Sequence, residues 1–393
     1  MIDCVPFVNS GNDLRRLRDY YDRPIVGRVS LNGLPALRRR GVQQTCDLWI
    51  DPEIDGYHQL LDSGDVWPDW KTYISQFAES GVLADHSFIQ KPDLSRLEIF
   101  VSAVMEKCRD NSPAWISVPQ LPVAASSGRN KINTALARAT ASWKEKYRFT
   151  GRLVLPLIFT HQTQLKNKTH WHPKLDLAKK CFDSVGPDIV WAVDSDLSDW
   201  KGSERFRDRF GSLVAFHSDL RECFPRAKII AGPYWGMNLV LWARGLCDYP
   251  AITLGYGFAY RISGGYRGME PTATVALPPL RRLARATEEL RAWLNTTVES
   301  LSQSEIAREK FSLLKDDFEK LKAYEIARDQ VAESYSEWMK KLAATSTSGR
   351  SLTLYQDLSS AYVLGKQLHK LPKSESPGRD TGKVAEQLML HCL

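Results

Sequence analysis

The sequence predicts an α/β fold, a (β/α)8 TIM-like barrel with a lid insertion and an α-helical C-terminal extension. Three observations carry this. Eight short apolar runs are each bounded by turn signals, and helical patterns separate most of them. The stretch Ala227–Gly265 gives the repeating unit in its clearest form: a strand at Lys228–Ala231, a Leu/Val/Trp helix at Met237–Cys247, a strand at Pro250–Leu254, then a Gly- and Tyr-rich loop. Strand–helix alternation implies right-handed crossovers and a parallel sheet, and a count of eight implies closure. An open doubly wound sheet is the alternative. It would carry a Gly-rich fingerprint after the first strand, which Asn9-Ser10-Gly11-Asn12 does not supply.

In chain order, the first strand is expected at Cys4–Val8, followed by a helix at Asp13–Tyr21. The second is Pro24–Leu31, with a short segment at Leu34–Arg40, and the third is Cys46–Ile50. An insertion near 55–91 follows, carrying Trp67, Trp70, Tyr73 and Phe77, and is read either as a lid or docking flap or as a helical hairpin packed on the barrel. A helix at Leu94–Arg109 buries Leu97, Phe100, Val101, Val104 and Met105 on one face. Strands at Ala114–Val118, Arg152–Phe159 and Asp188–Val193 alternate with helices at Lys131–Tyr147, Lys174–Ser184 and between Glu204 and Cys223. The barrel with its insertion thus spans 1–279. Residues 280–371 read as an amphipathic helical extension that either caps the barrel or presents a hairpin to a partner, and 372–393 read as a flexible tail.

Composition is that of an ordinary globular protein. No run is long enough to span a membrane, and MIDCVPFVNSGNDLRRL lacks the basic-then-apolar pattern of a signal peptide. Seven singly scattered cysteines predict reduced thiols and a cytoplasmic setting rather than a disulfide framework or a thiolate zinc site. The formal net charge of +7 favours an anionic partner such as a nucleotide or nucleic acid, or is simply a basic surface.

A barrel of this kind places its site at the C-terminal strand ends. Those ends read Asn9 and Ser10; Ser30 and Asn32; Asp51; Pro119 and Gln120; Thr160, His161 and Gln162; Asp194 and Asp196; Tyr234 and Trp235; and Tyr256, Tyr260 and Arg261. Asp51 and Asp194 are the carboxylates directly at strand ends and the candidate catalytic pair: nucleophile or base, and hydrogen-bond acceptor. Each could instead cap a helix or satisfy a loop. Gln162, His161, Tyr234, Trp235, Tyr256 and Arg261 are the candidate substrate-binding residues, with Tyr234, Trp235, Tyr256 and Phe258 forming a sandwich for a planar ring or, alternatively, core. His170 and His172 in KNKTHWHPK lack a metal partner at a familiar spacing. That loop is read as touching phosphates and stacking a base through Trp171, and no metal or cofactor is assigned.

The strand-end pattern resembles the tRNA-guanine transglycosylase family and its DNA-directed 7-deazaguanine relatives. Asp51 in LWIDPEIDGYHQ falls where that family has an Asp-Ser-Gly segment, and Gln162 in PLIFTHQTQ falls near its Gln-Gly turn. AGPYWGMNLVLWARGLCDYPAITLGYGFAYR is similar in layout to its penultimate Gly-rich turn, helix and last strand. The sequence departs from the family where its nucleophilic aspartate would stand, having Gly255-Tyr256-Gly257, and it lacks the zinc motif; Pro119-Gln120 replaces a second aspartate. The resemblance therefore implies a barrel that recognises a guanine- or 7-deazaguanine-like base, a nucleotide or nucleic acid without exchanging it by the usual route. Antiphage gene clusters are one setting for such barrels. Two other expectations stand beside it: a catalytically silent scaffold docking a protein through the lid or C-terminal helices, and an unrelated barrel hydrolase or lyase using Asp51 and Asp194.

Overall fold

The computed structural model describes residues 4–21, 26–62, 64, 66–123, 127–195, 197, 204–255, 258, 260, 262, 272–302, 306–375 and 379–393; at 127, 162, 163, 182, 184, 185, 204–208 and 374 it describes the backbone alone. Eight parallel strands close into a barrel: β1 (Val5–Phe7), β2 (Gly27–Ser30), β3 (Leu48–Asp51), β4 (Trp115–Ser117), β5 (Arg152–Phe159), β6 (Ile189–Asp194), β7 (Lys228–Ala231) and β8 (Tyr249–Thr253). Closure is made by β1 on β8, with Val5 opposite Ala251 and Phe7 opposite Thr253. Helices Gly11–Tyr20, Leu94–Arg109, Ser127–Lys146, Lys168–Val185, Glu204–Cys223 and Met237–Ala243 are among those connecting the strands. Among the described residues, no helix is long and apolar enough to cross a membrane.

Side chains alternate across a strand, so register fixes which residues fill the barrel. Trp49 touches Phe7 and Trp191 edge-on, at 6.0 and 5.3 Å between ring centroids, which sets these three inside. By the same alternation Arg28, Asp51, Trp115 and Ser117 face in, and Trp49 Nε1 donates to Ser117 Oγ across 2.9 Å. The interior thus sets large rings among Val5, Val154, Ile158, Ile189 and Ile230, which the same registers also turn inward.

The insertion after β3 is a set of short helices at Tyr57–Asp62, Pro68–Ile74 and His86–Gln90 whose aromatics pack inward. Trp70 Nε1 donates to the Glu53 carbonyl and the Tyr73 hydroxyl to the Pro52 carbonyl. Trp70 lies so close to Gly56 that a Cβ there would stand 2.3 Å from its ring. The insertion braces the loop that follows Asp51.

Beyond the barrel, β9 (Thr274–Leu277) and β10 (Arg282–Arg285) form an antiparallel hairpin within a stretch whose second half reads as helix in the sequence. The hairpin is too short to give a period of its own. Gln330, on helix Tyr324–Ala343, pairs with both backbone groups of Ala276 and so covers that edge of the hairpin. That helix is bolted to the barrel. Arg16, fully buried on helix Gly11–Tyr20, reaches Asp329 through Nε (2.7 Å), pairs with Glu325, and donates to the Leu254 carbonyl at the end of β8. The tail expectation for 372–393 is corrected. Lys383–Met389 is a helix that buries Val384, Ala385 and Leu388, with Leu388 against Gly236; the polar stretch before it hides an apolar segment long enough to dock.

Candidate binding site at the barrel mouth

β3 delivers Asp51 to the C-terminal mouth, and the chain then runs Asp51-Pro52-Glu53-Ile54-Asp55. Asp51 is buried and fully engaged: its Oδ2 accepts from Arg28 Nε (2.8 Å) and Nη2 (2.6 Å), and its Oδ1 accepts from the Glu53 backbone N–H (2.9 Å). Glu53 is held in the left-handed region at φ 55°, ψ 39°, a conformation unusual outside glycine. Asp55 accepts a 2.6 Å hydrogen bond from the Tyr260 hydroxyl. Three carboxylates at alternate positions thus surround one guanidinium.

That guanidinium is also roofed by rings. The Arg28 Cζ lies 4.6 Å from the Phe7 centroid, 5.3 Å from Trp191, 5.4 Å from Tyr260 and 6.0 Å from Trp49, all within cation–π range. Burial opposes the charge, and Asp51, Tyr260, Glu53 and Asp55 together more than offset it, so Arg28 holds its proton more firmly than an ordinary arginine. Glu53 responds the other way. Burial, against the pull of Arg28 and a hydrogen bond with Ser30, and with Asp55 and Asp51 adding repulsion, pushes its carboxyl up to about 7. A carboxyl that exchanges its proton near neutrality, in a strained loop at a barrel mouth, is the kind of group that acid–base or ligand-binding sites use. Against other residues of the same loop lies a cavity of about 10 Å³, the room of about one water, bordered by Asp51, Asp55, Pro119, Gln120, Pro156 and Trp191. The mouth is shut.

The other expected site residues lie elsewhere. Asp194 stands an odd number of residues after the inward Trp191, so it faces outward into the helix layer. There Arg209 binds it through Nε (2.8 Å) and Nη2 (2.6 Å). Asp194 therefore does not share the mouth with Asp51, and the paired-aspartate expectation is corrected. Tyr234 is buried beside it, its hydroxyl oxygen accepting from the Asp194 N–H at 2.6 Å. Trp235 is enclosed by Phe258, Tyr335 and Trp338 at the seam with the extension and donates to the Arg281 carbonyl. Neither ring offers a free face at the mouth, so the expected sandwich is not formed by these two. His161 is exposed at the end of β5. Gln162 opens the turn Gln162–Leu165, and its side chain lies outside the described residues, as do Tyr256, Arg261 and Asp196 altogether.

The KNKTHWHPK expectation is corrected as well. From Lys168 on, this stretch is the first turns of a helix. Trp171 is buried against Phe216, and it and His172 both bond to Asp219. Among the described residues no three His, Cys, Asp or Glu side chains are grouped to hold a metal. Arg28, Glu53 and Asp55 are the mouth residues that strand-end reading alone does not single out. The signals were a charged residue inside a strand and an acidic residue at every second position after Asp51. Comparison with known proteins finds no matching family model and no significantly similar curated protein.

Proposed function

We propose that this barrel binds a guanine- or 7-deazaguanine-like base at its C-terminal mouth, with Glu53 and Asp55 as the acceptors for the base's N–H edge. Arg28 and Asp51 act as the fixed frame beneath them. The observation that carries the reading is the convergence of three carboxylates on one mouth, one of them poised near neutrality. Adjacent carboxylates suit a ligand that presents neighbouring N–H donors, and they disfavour a phosphate at the same spot. The free base or nucleoside is therefore favoured over nucleic acid as the group that enters. The resemblance in strand-end order supports the same ligand class. Base exchange through Asp51 is not part of the proposal, since both its oxygens are occupied by the chain itself.

The scaffold reading finds less support, because the C-terminal helices spend their aromatic face on the barrel at Trp235. Isothermal titration of the full chain with guanine, 7-deazaguanine and adenine tests the proposal. Guanine and 7-deazaguanine should bind and adenine should not, and Glu53→Gln should weaken binding by about tenfold, the worth of one charged acceptor. Absence of binding by either guanine-type base up to its solubility limit, in the wild type and in Tyr260→Ala, would sink it.

A further inference from the structure

Among the described residues, one ring in the mouth comes from no barrel strand. Tyr260 follows β8, and its phenol ring stands edge-on to Trp191 at 4.9 Å and 88° and to Phe7 at 6.2 Å and 86°. The Arg28 guanidinium lies 5.4 Å from its centre, and its hydroxyl donates to Asp55. Two residues earlier, Phe258 is wedged 4.4 Å from Tyr335 and 5.1 Å from Trp235, in the aromatic cluster of the extension. The two rings are separate pegs: one anchors the chain to the extension, the other fills the mouth.

We infer that Tyr260 occupies the ligand's own place, and that a ligand enters by displacing this phenol. The inference rests on the reading of the mouth as a binding site and extends it by reading the ligand's chemistry from its stand-in. The ring lies within reach of a guanidinium and two aromatic side chains, so the ligand is a flat aromatic. The hydroxyl gives a proton to Asp55, so the ligand carries a hydrogen-bond donor at its edge. Asp55 and Asp51 lie beside the position, so a ring bearing a carboxylate or phosphate there is rejected. The small cavity shares Asp55 and Trp191 with the phenol's surroundings, which gives a displacing ring larger than phenol somewhere to extend. Phe258 keeps its seat while Tyr260 leaves, so opening does not require the extension to let go.

The test uses the full chain with Tyr260→Ala and three probes: 4-methylphenol, toluene and guanine. The variant should melt below the wild type. Millimolar 4-methylphenol should raise its melting temperature while leaving the wild type unmoved, and toluene, which has no donor, should do less. Guanine should bind Tyr260→Ala at least tenfold more tightly than it binds the wild type. If 4-methylphenol stabilises the variant and guanine binds neither protein, the displaceable phenol stands and the guanine reading fails. If 4-methylphenol does no more for the variant than for the wild type, or guanine binds both proteins equally, the inference is overturned. Should Tyr260→Ala not fold, Tyr260→Phe keeps the ring and removes only the bond to Asp55. It should bind guanine several-fold more tightly than the wild type, and equal affinity would overturn the inference.

Discussion

Replacing Glu53 by Gln removes the carboxyl that burial and its acidic neighbours push up to about 7. In the unfolded chain the same group titrates near its ordinary 4.5. Between those values the folded protein holds a proton that the unfolded chain has released. The stability contributed by this group is therefore fully present below about pH 4.5 and is lost as the pH rises through about 7. Two and a half pH decades at about 1.4 kcal/mol each come to about 3 kcal/mol. An unfolding entropy of roughly 2.1 cal/mol/K per residue, taken over 393 residues, turns that into about 4 °C in melting temperature.

The assay is thermal melting of the wild type and Glu53→Gln from pH 4.5 to 8.5, read as the difference between the two proteins at each pH. Other carboxyls raised by burial, such as Asp13 and Glu375, are common to both and cancel. Glutamine carries no titrating charge, so the variant should gain about 4 °C on the wild type across this range, most of it between pH 5 and 7.5. A difference flat to within 1 °C would refute the argument, because it would mean that Glu53 reaches water and does not feel Asp51 and Asp55.

Four further outcomes follow from the same geometry. Wild-type affinity for guanine should rise about tenfold from pH 6 to pH 8 as Glu53 ionises and becomes an acceptor, and titration calorimetry should find that rise absent in Glu53→Gln. Arg28→Met should cost about 3–5 kcal/mol in urea melts by stranding Asp51, and adding Asp51→Asn should recover most of the loss, since a buried pair is expensive to break and cheap to delete whole. Asp194→Asn should lower stability by about 3 kcal/mol by removing the charge that Arg209 Nε and Nη2 bind while leaving the guanine dissociation constant unchanged, which separates it from the mouth. Gly365→Ala should cost about 1–3 kcal/mol and speed proteolytic release of the C-terminal helix, because its Cβ would meet the Gly382 backbone at 2.5 Å.

The barrel was legible because strand and helix signals alternate without ambiguity. Arg152–Phe159, Lys228–Ala231 and Leu94–Arg109 stand where the apolar periods put them. The site was legible only in part. Asp51 and Asp194 look alike in the sequence, each closing an apolar run. What separates them is strand parity, and a strand buried on both faces, such as Ile-Val-Trp-Ala-Val-Asp, carries no alternation from which to read it. Tyr234 and Trp235 were ambiguous for another reason. Whether a ring at a strand end faces a ligand or a neighbouring helix depends on Tyr335 and Trp338, about a hundred residues away. Glu53 and Asp55 were within reach of the sequence, since every second residue after an inward Asp51 has a chance to face the same mouth.

The placement of Arg28 argues most strongly that the mouth has a task. Phe7, Trp49, Trp115, Trp191 and Tyr249 line the barrel, and an aliphatic side chain at position 28 would pack among those rings without desolvating a charge. Burying a guanidinium there costs several kcal/mol before Asp51 returns any of it, and well-packed apolar replacements of such pairs are often neutral or stabilising. Stability alone thus gives no reason for the pair. Its location supplies one under the proposed reading: it lies toward the C-terminal end of the barrel, beneath a strained acidic loop and the Tyr260 phenol. There the Arg28 guanidinium holds Asp51 in place through two hydrogen bonds and lies against the surrounding rings, and Glu53 is the carboxyl of the loop that burial raises to about 7.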